Sequence, residues 1–404
     1  MKKEILLVNY EYPPIGGGAG KAMFHLAQEL MRTEEYHLTM MFGADARLGA
    51  FPTIEGANHY PLFSSRDGMH RTGAACMVKF LVRAYSMLPA ILKDRKIDLI
   101  HYFFSMPTGL LSFAHPKIPY IVSMRGGDCP GYNAGEMEVM HRIMRPLNRR
   151  VVKGACKVVA VSQALRDAVR STLNAPACQV IPNGIDVPNE SKTQYSKLIE
   201  PLRLVMVSRL SATKRTELLL AAVSRVRGCH LTLVGEGEKL ADLKAQAQAL
   251  GILDRVDFKG CLPKSLVYRE LHKADVFVLP SPGEGMSNAM LEAMSVGLPV
   301  VGVNSGGTRE LVDNGVSGWL ADPRDLETGL TGVIARLVAD RSGLPDAGRA
   351  ARAACRDRFT WGATVEAYRK IYQECMFQSG TPRIKPGACG SKPGPDQAPL
   401  DANR

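Results

Sequence analysis

No apolar run in this 404-residue chain exceeds the length of a strand, so the sequence offers no evident membrane-crossing segment. Its nine cysteines are odd in number and include no Cys-x-x-Cys pair. That argues against a disulfide framework and fits a reducing cytosolic compartment. Asp-x-Asp is missing, as is any His/Cys group at metal-ligand spacing, so we expect no metal and no other cofactor. Neither Gly-x-Gly-x-x-Gly nor a P-loop Gly-Lys-Ser/Thr is present. Lysine and arginine are spread out without the aromatic interleaving of nucleic-acid readers, so no nucleic-acid partner is expected.

What is present is a globular composition, 46% hydrophobic and 22% charged, in a chain too long for one core. The basic start Met-Lys-Lys-Glu precedes an apolar run too short for a signal peptide, and it reads as a buried first strand. Strand-like and helical runs alternate throughout, which predicts doubly wound parallel sheets. Strands are expected at Ile5–Asn9, His37–Phe42, Leu99–Phe104, Tyr120–Met124, Lys157–Ser162 and Val180–Ile181. After a polar stretch from Thr193 to Pro201 the series restarts at Leu202–Ser208, His230–Val234, Val256–Lys259, Val276–Pro280, Pro299–Val303 and Trp319–Ala321. The expectation is an α/β protein with two Rossmann-like domains, 1–190 and 202–358, joined by a linker at 191–201. A helix at 359–377 is left over once the second sheet is complete. The Gly/Pro/Ser tail at 378–404 is too poor in apolar residues to pack.

The most informative stretch runs Ser281-Pro-Gly-Glu284-Gly-Met-Ser-Asn-Ala-Met-Leu-Glu292. On one helix these glutamates would face different directions, roughly 12 Å apart. Pro282, Gly283 and Gly285 prevent a helix from starting before Met286. Glu284 therefore belongs to a loop at a strand's carboxyl end, where ligands bind in open α/β sheets, and Glu292 to the helix that follows. Two carboxylates at different depths suit a ligand with two sets of hydroxyls, such as the hexose and ribose of a sugar nucleotide. Arg209 and Lys214, in the loop after Leu202–Ser208, can converge on its phosphates. A departing diphosphate needs cations or helix dipoles if no metal serves, and the helix start near Ser287–Asn288 adds one. Val234-Gly-Glu-Gly237 and Gly306-Gly307-Thr308-Arg309-Glu310 are turns of little meaning alone, as is Asp257-Phe-Lys259-Gly260, which could serve a nucleobase edge.

This ordered set, together with Phe359-x-Trp361, resembles the retaining glycosyltransferases of family 4, over the chain from the first strand to about residue 377. The resemblance implies a GT-B fold whose second domain binds the donor and whose last helix crosses back to the first. It implies that Arg209 and Lys214 bind the donor diphosphate, that Glu284 meets hexose hydroxyls beside the backbone of Gly285, Met286 and Ser287, and that Glu292 binds the ribose. The donor's own phosphate oxygen would then deprotonate the acceptor.

In the first half, Tyr12-Pro-Pro-Ile-Gly-Gly17-Gly18-Ala-Gly20 lets a backbone approach a ligand closely. In the resembled family such a loop lies near the donor phosphates. Met124-Arg125-Gly-Gly-Asp128 departs from the family's His-Gly-x-Asp in having Arg125 at the histidine position. Arg125, Asp128 and His101 are the acceptor-side candidates, although His101 also suits a hydrogen-bonded core. Pro182-Asn-Gly-Ile-Asp186 reads as a structural turn. The net charge of +12 and two basic stretches, His70 to Lys96 and Arg142 to Lys157, point together to an anionic membrane surface. The expected activity is hexosyl transfer from a UDP- or GDP-linked donor to a hydroxyl of a glycan or lipid-linked saccharide, in the cytoplasm or peripherally on the membrane's cytoplasmic face. The alternatives are a non-catalytic sugar-nucleotide-binding scaffold and a nucleotide-sugar 2-epimerase of similar fold. A glycosidase fits less well, because its carboxylates would flank one scissile bond.

Overall fold

The computed structural model describes residues 2–64, 73–132, 138–175, 177–192 and 194–379. The first half forms a parallel sheet of β1 (Lys3–Asn9), β2 (Tyr36–Ala44), β3 (Asn58–Phe63), β4 (Leu99–Phe103), β5 (Tyr120–Met124), β6 (Lys157–Ala160) and β7 (Cys178–Val180). The second half holds β8 (Leu202–Val207), β9 (Cys229–Val234), β10 (Val256–Phe258), β11 (Val276–Val278), β12 (Val300–Val303) and β13 (Gly318–Ala321). Helices in the first half are α1 (Gly18–Arg32), α2 (Ala74–Asp94), α3 (Glu138–Gly154) and α4 (Gln163–Leu173). They continue as α5 (Thr216–Arg225), α6 (Leu240–Ala249), α7 (Lys264–Lys273), α8 (Asn288–Ser295), α9 (Thr308–Leu311), α10 (Leu326–Ala339), α11 (Leu344–Arg358) and α12 (Trp361–Ser379).

The spatial orders are β3-β2-β1-β4-β5-β6-β7 and β10-β9-β8-β11-β12-β13. Strand order thus reverses between β1 and β4 and between β8 and β11. Loops leaving those strands border a crevice in each domain. Central strands are buried on both faces, which is why Ile5 to Val8 and Val276 to Val278 read as continuous apolar runs.

Three elements depart from the sequence reading. Strand β3 was not expected because Pro61 interrupts it, but an edge strand tolerates a missing N–H. Helix α11 was missed because its buried side is largely Ala347, Ala351 and Ala354, with Arg352 buried among carbonyls of Ser295, Glu190 and Pro188. Residues Ala75–Asp94 of α2 have the length and composition of a membrane-crossing helix, which Lys79 and Arg83 hide from a count of unbroken apolar residues. In the fold, Phe80, Ala84, Leu88 and Ile91 of that helix are buried in the first domain's core. The Gly/Pro/Ser tail lies outside the described residues beyond Ser379.

Helix α12 packs on the first domain through a buried polar network. The His101 ring shares hydrogen bonds with Tyr372 Oη and Ser123 Oγ, both at 2.7 Å, and Ser123 meets Tyr368 Oη at 2.9 Å. Between the domains, the connector is fastened to the second domain. Ser196 donates twice to Asp275, which also takes three donations from Arg203. Burial opposes the Asp275 charge, yet these donors hold its pKa below the usual aspartate range. The two chain crossings pair upstream of the connector, where Ile185 N–H donates to Phe359 O at 2.7 Å.

Candidate active site

Between the domains lies a cleft of about 630 Å³. Its second-domain wall is built at the β8/β11 reversal. The loop after β8 brings Arg209 and Lys214, and the loop after β11 brings Glu284, because neighbouring parallel strands deliver their loops to the same edge. Lys214 Nζ donates to Glu284 Oε1 at 2.5 Å, with the two side chains 20% and 12% exposed. Burial pushes the Glu284 pKa up, but the charge and hydrogen bond of Lys214, a bond from Ser281 and the charge of Arg209 outweigh it. The carboxyl is held below the ordinary glutamate range and stays ionised.

Two of the three turns that meant little in sequence prove to be supports. Gly235 adopts φ +134°, and a Cβ there would lie 1.9 Å from Ser208 O, so the turn after β9 packs flush against the Arg209 loop. Leu210 N–H donates to Glu236 O and fixes that contact at 2.9 Å. Likewise a Cβ on Gly307 would lie 1.8 Å from Gly285 O, and Gly307 N–H donates to Glu284 O at 2.8 Å. The Gly306-Gly307 turn is therefore a seat for the acidic loop.

Helix α8 starts where the proline and glycines allow, with Ser287 Oγ accepting from Met290 N–H. Glu292, on its second turn, is 10% exposed and pairs with Lys21 Nζ of α1 at 3.7 Å. Gly17, Gly18, Gly285, Met286 and Ser287 line the cleft with Arg125, Arg209, Lys214, Glu284 and Glu292.

Three candidates are corrected. His101 is fully buried, with both ring nitrogens satisfied on the α12 side, and it does not line the cleft. Burial and the nearby Arg125 charge push its pKa well below the usual value, so it is a neutral core histidine. Asp128 is 2% exposed and accepts from the N–H groups of Ser105, Arg125 and Gly126. It organises the loop rather than offering oxygens to a ligand. Lys259 pairs with Asp257 at 3.1 Å and is not among the residues lining the cleft.

Other residues in and around the cleft went unforeseen. Asn183, read as part of a structural turn, accepts from Arg125 Nη1 at 2.6 Å and donates to Asn288 Oδ1 at 2.8 Å. Asn288 Nδ2 donates to Gly18 O, and Tyr132 Oη donates to Glu284 O at 3.0 Å. Glu310 accepts from Gln163 and Ala164 N–H, both at 2.8 Å, capping α4 from the other domain. No local pattern signals these contacts, since Arg125 and Asn183 stand 58 positions apart and the other pairs more than a hundred.

Two Rossmann-like domains closed over such a cleft are the GT-B architecture. Residues 16–188 match the family described as Glycosyltransferase Family 4, and residues 201–340 match Glycosyl transferases group 1. The chain belongs to glycosyltransferase family 4. It is 27% identical over 394 residues to a glycogen synthase of Mycobacterium tuberculosis, covering 91% of this chain and 94% of that one. It is 24% identical to a GDP-mannose-dependent alpha-(1-6)-phosphatidylinositol monomannoside mannosyltransferase of the same organism, covering 88% and 94%. In fold it is similar to sucrose-phosphate synthase from Thermosynechococcus elongatus, with a TM-score of 0.82 at 19% identity over 93% of this chain and all of that one.

Proposed function

We propose that the protein moves a hexosyl unit from a UDP- or GDP-linked donor to a hydroxyl of a glycan, polysaccharide or glycolipid, with retention and without a metal. The observation that carries this reading is the Lys214–Glu284 pair, with Arg209 beside it and Glu292 further along the same wall. Arg209, Lys214 and the α8 N-terminus supply fixed positive charge for a departing diphosphate. Glu284 and Glu292 supply acceptors for two separate sets of hydroxyls. Glu284 is engaged by Lys214, which leaves proton removal from the acceptor to a phosphate oxygen of the donor. The GDP-mannose dependence of one relative supports a nucleotide-linked donor.

The test is incubation with radiolabelled UDP-glucose, UDP-N-acetylglucosamine and GDP-mannose, without acceptor, with and without EDTA. We expect slow hydrolysis of one donor, undiminished by EDTA. Epimer formation would favour the epimerase, binding without turnover the scaffold, and loss of activity in EDTA would overturn the metal-free mechanism.

We place the enzyme peripherally on the cytoplasmic face of an anionic membrane. Helix α2 exposes Val78, Val82 and Tyr85, and α3 exposes Val139, Ile143 and Leu147 at four-residue spacing. The segment Thr108–Ala114 packs against both helices and exposes Phe113. Lys79, Arg83, Arg142, Arg150 and Lys153 are exposed on the same two helices. Arg145 and Arg149 are not offered to a membrane, because both donate to Thr172 O at the end of α4. Residues 70 and 71 of the first basic stretch lie outside the described residues. Phosphatidylglycerol vesicles should carry the protein upward in flotation at low salt, and Ile143→Asp should reduce this severalfold. No flotation at low salt would dispose of the membrane site.

A further inference from the structure

Arg125 and Lys264, the latter on the second domain and 5.8 Å from the centre of the Tyr268 ring, differ from the cleft's other described cations in their electrostatic surroundings. Lys214 and Lys21 each face a carboxylate, at 2.5 and 3.7 Å, and Arg209 lies close enough to Glu284 to lower its pKa. Arg125 follows β5 on the opposite wall, and its Nη1 donates to the neutral amide oxygen of Asn183. The guanidinium carbon stands 5.0 Å from the centre of the Phe103 ring, and Nε is buried without an acceptor. No described carboxylate lies within ion-pair distance of it. Asp128, three residues on, spends its oxygens on backbone N–H groups and Ser105 Oγ.

A guanidinium lining a substrate cleft, undersatisfied and without a countercharge, loses hydration when a ligand fills that cleft. A neutral hydroxyl recovers little of that loss, whereas a carboxylate or phosphate recovers it through charge-assisted bonds. The donor diphosphate already has Arg209 and Lys214 on the second domain. Arg125 comes from the first domain, and its backbone carbonyl packs against Gly285, directly beside Glu284. Through Asn183 it also reaches Asn288 at the start of α8. It thus borders the place where the moved sugar and its acceptor would meet.

We propose that Arg125 reads a carboxylate or phosphate on the sugar side of the reaction, carried either by the transferred hexose or by the acceptor. This rests on the glycosyl-transfer reading of the cleft above. Arg125 is then a specificity residue, absent from the sequence pattern of the family that has histidine at this place.

The experiment measures binding by calorimetry to wild type, Arg125→Gln and Arg125→Lys. UDP and GDP are titrated first. A donor arm compares UDP-glucose with UDP-glucuronate. An acceptor arm compares glucose, glucuronate and glucose 6-phosphate added to the nucleotide-saturated protein. Wild type should favour the anionic sugar in one arm by about tenfold or more, the worth of a hydrogen bond to a charged group. Arg125→Gln should abolish that preference while nucleotide affinity stays within about twofold. Arg125→Lys, which keeps the charge without the planar fork, should retain part of it and carries the test if the glutamine variant does not fold. Equal binding of neutral and anionic sugars in both arms would overturn the proposal. So would a loss of UDP or GDP affinity in Arg125→Gln as large as the loss of anionic-sugar affinity, which would assign Arg125 to the diphosphate. Failure of wild type to bind either nucleotide would refute the glycosyl-transfer reading itself.

Discussion

Glu284→Gln lowers kcat/KM by about 10²–10³-fold, the loss typical of one preorganised electrostatic contact and equivalent to about 3–4 kcal/mol. The change keeps the side chain's size and leaves the Gly307 N–H and Tyr132 bonds to the Glu284 carbonyl in place. What it removes is the charge that aligns Lys214 and an acceptor for substrate hydroxyls. Steady-state kinetics with the active donor checks the loss, and a rate within threefold of wild type would take Glu284 out of the site. Acid unfolding supplies a second readout. Because the folded-state pKa of Glu284 is depressed, its contribution is complete above the ordinary glutamate range and disappears as pH falls through the lowered value. Wild type should therefore lose more stability on acidification than Glu284→Gln does.

Lys214→Ala should cost a similar 10²–10³-fold in kcat, because it removes a fixed cation from the departing diphosphate. It should also weaken UDP or GDP binding, since the same charge holds the product. A further consequence follows from burial. Without Lys214, the largest of the influences that keep Glu284 ionised is gone, while the burial that raises its pKa remains. The acid limb of the pH–rate profile should move to higher pH in Lys214→Ala, and Lys214→Arg should restore much of the wild-type position. An unmoved acid limb would separate the two residues functionally. The double variant should lose much less than the product of the single losses, because each change already breaks the same pair.

How much of this was legible depended on whether the signal was local. The acidic loop was readable because Pro282, Gly283 and Gly285 prohibit helix where they stand, and α8 begins at Asn288 accordingly. The doubly wound sheets were readable because strands buried on both faces leave unbroken apolar runs. The failures are of the opposite kind. His101 sits in the middle of β4 and has catalytic chemistry, and nothing nearby in sequence reveals that Tyr372 would claim its ring. Asp128 follows two glycines as a ligand-facing residue would, but its oxygens turn inward to the Ser105 segment. Lys259 occupies a strand-end loop and folds onto Asp257 instead of the cleft. Lys21 carries no signal, and the turns holding Asn183 and Glu310 were legible only as turns, because Glu292, Asn288 and the start of α4 are brought to these side chains from across the domain gap.

The residue order by itself determined two parallel α/β domains, loops at the sheet reversals, and the residue types those loops carry. These follow from backbone sterics and from the period of burial, which act over a few positions. Only the tertiary structure decided which side chains share the cleft, which charge stands beside which, and that Arg125 faces it without a carboxylate. Those outcomes depend on how two separately folded sheets are docked, and docking brings together atoms whose separation along the chain encodes nothing about their distance.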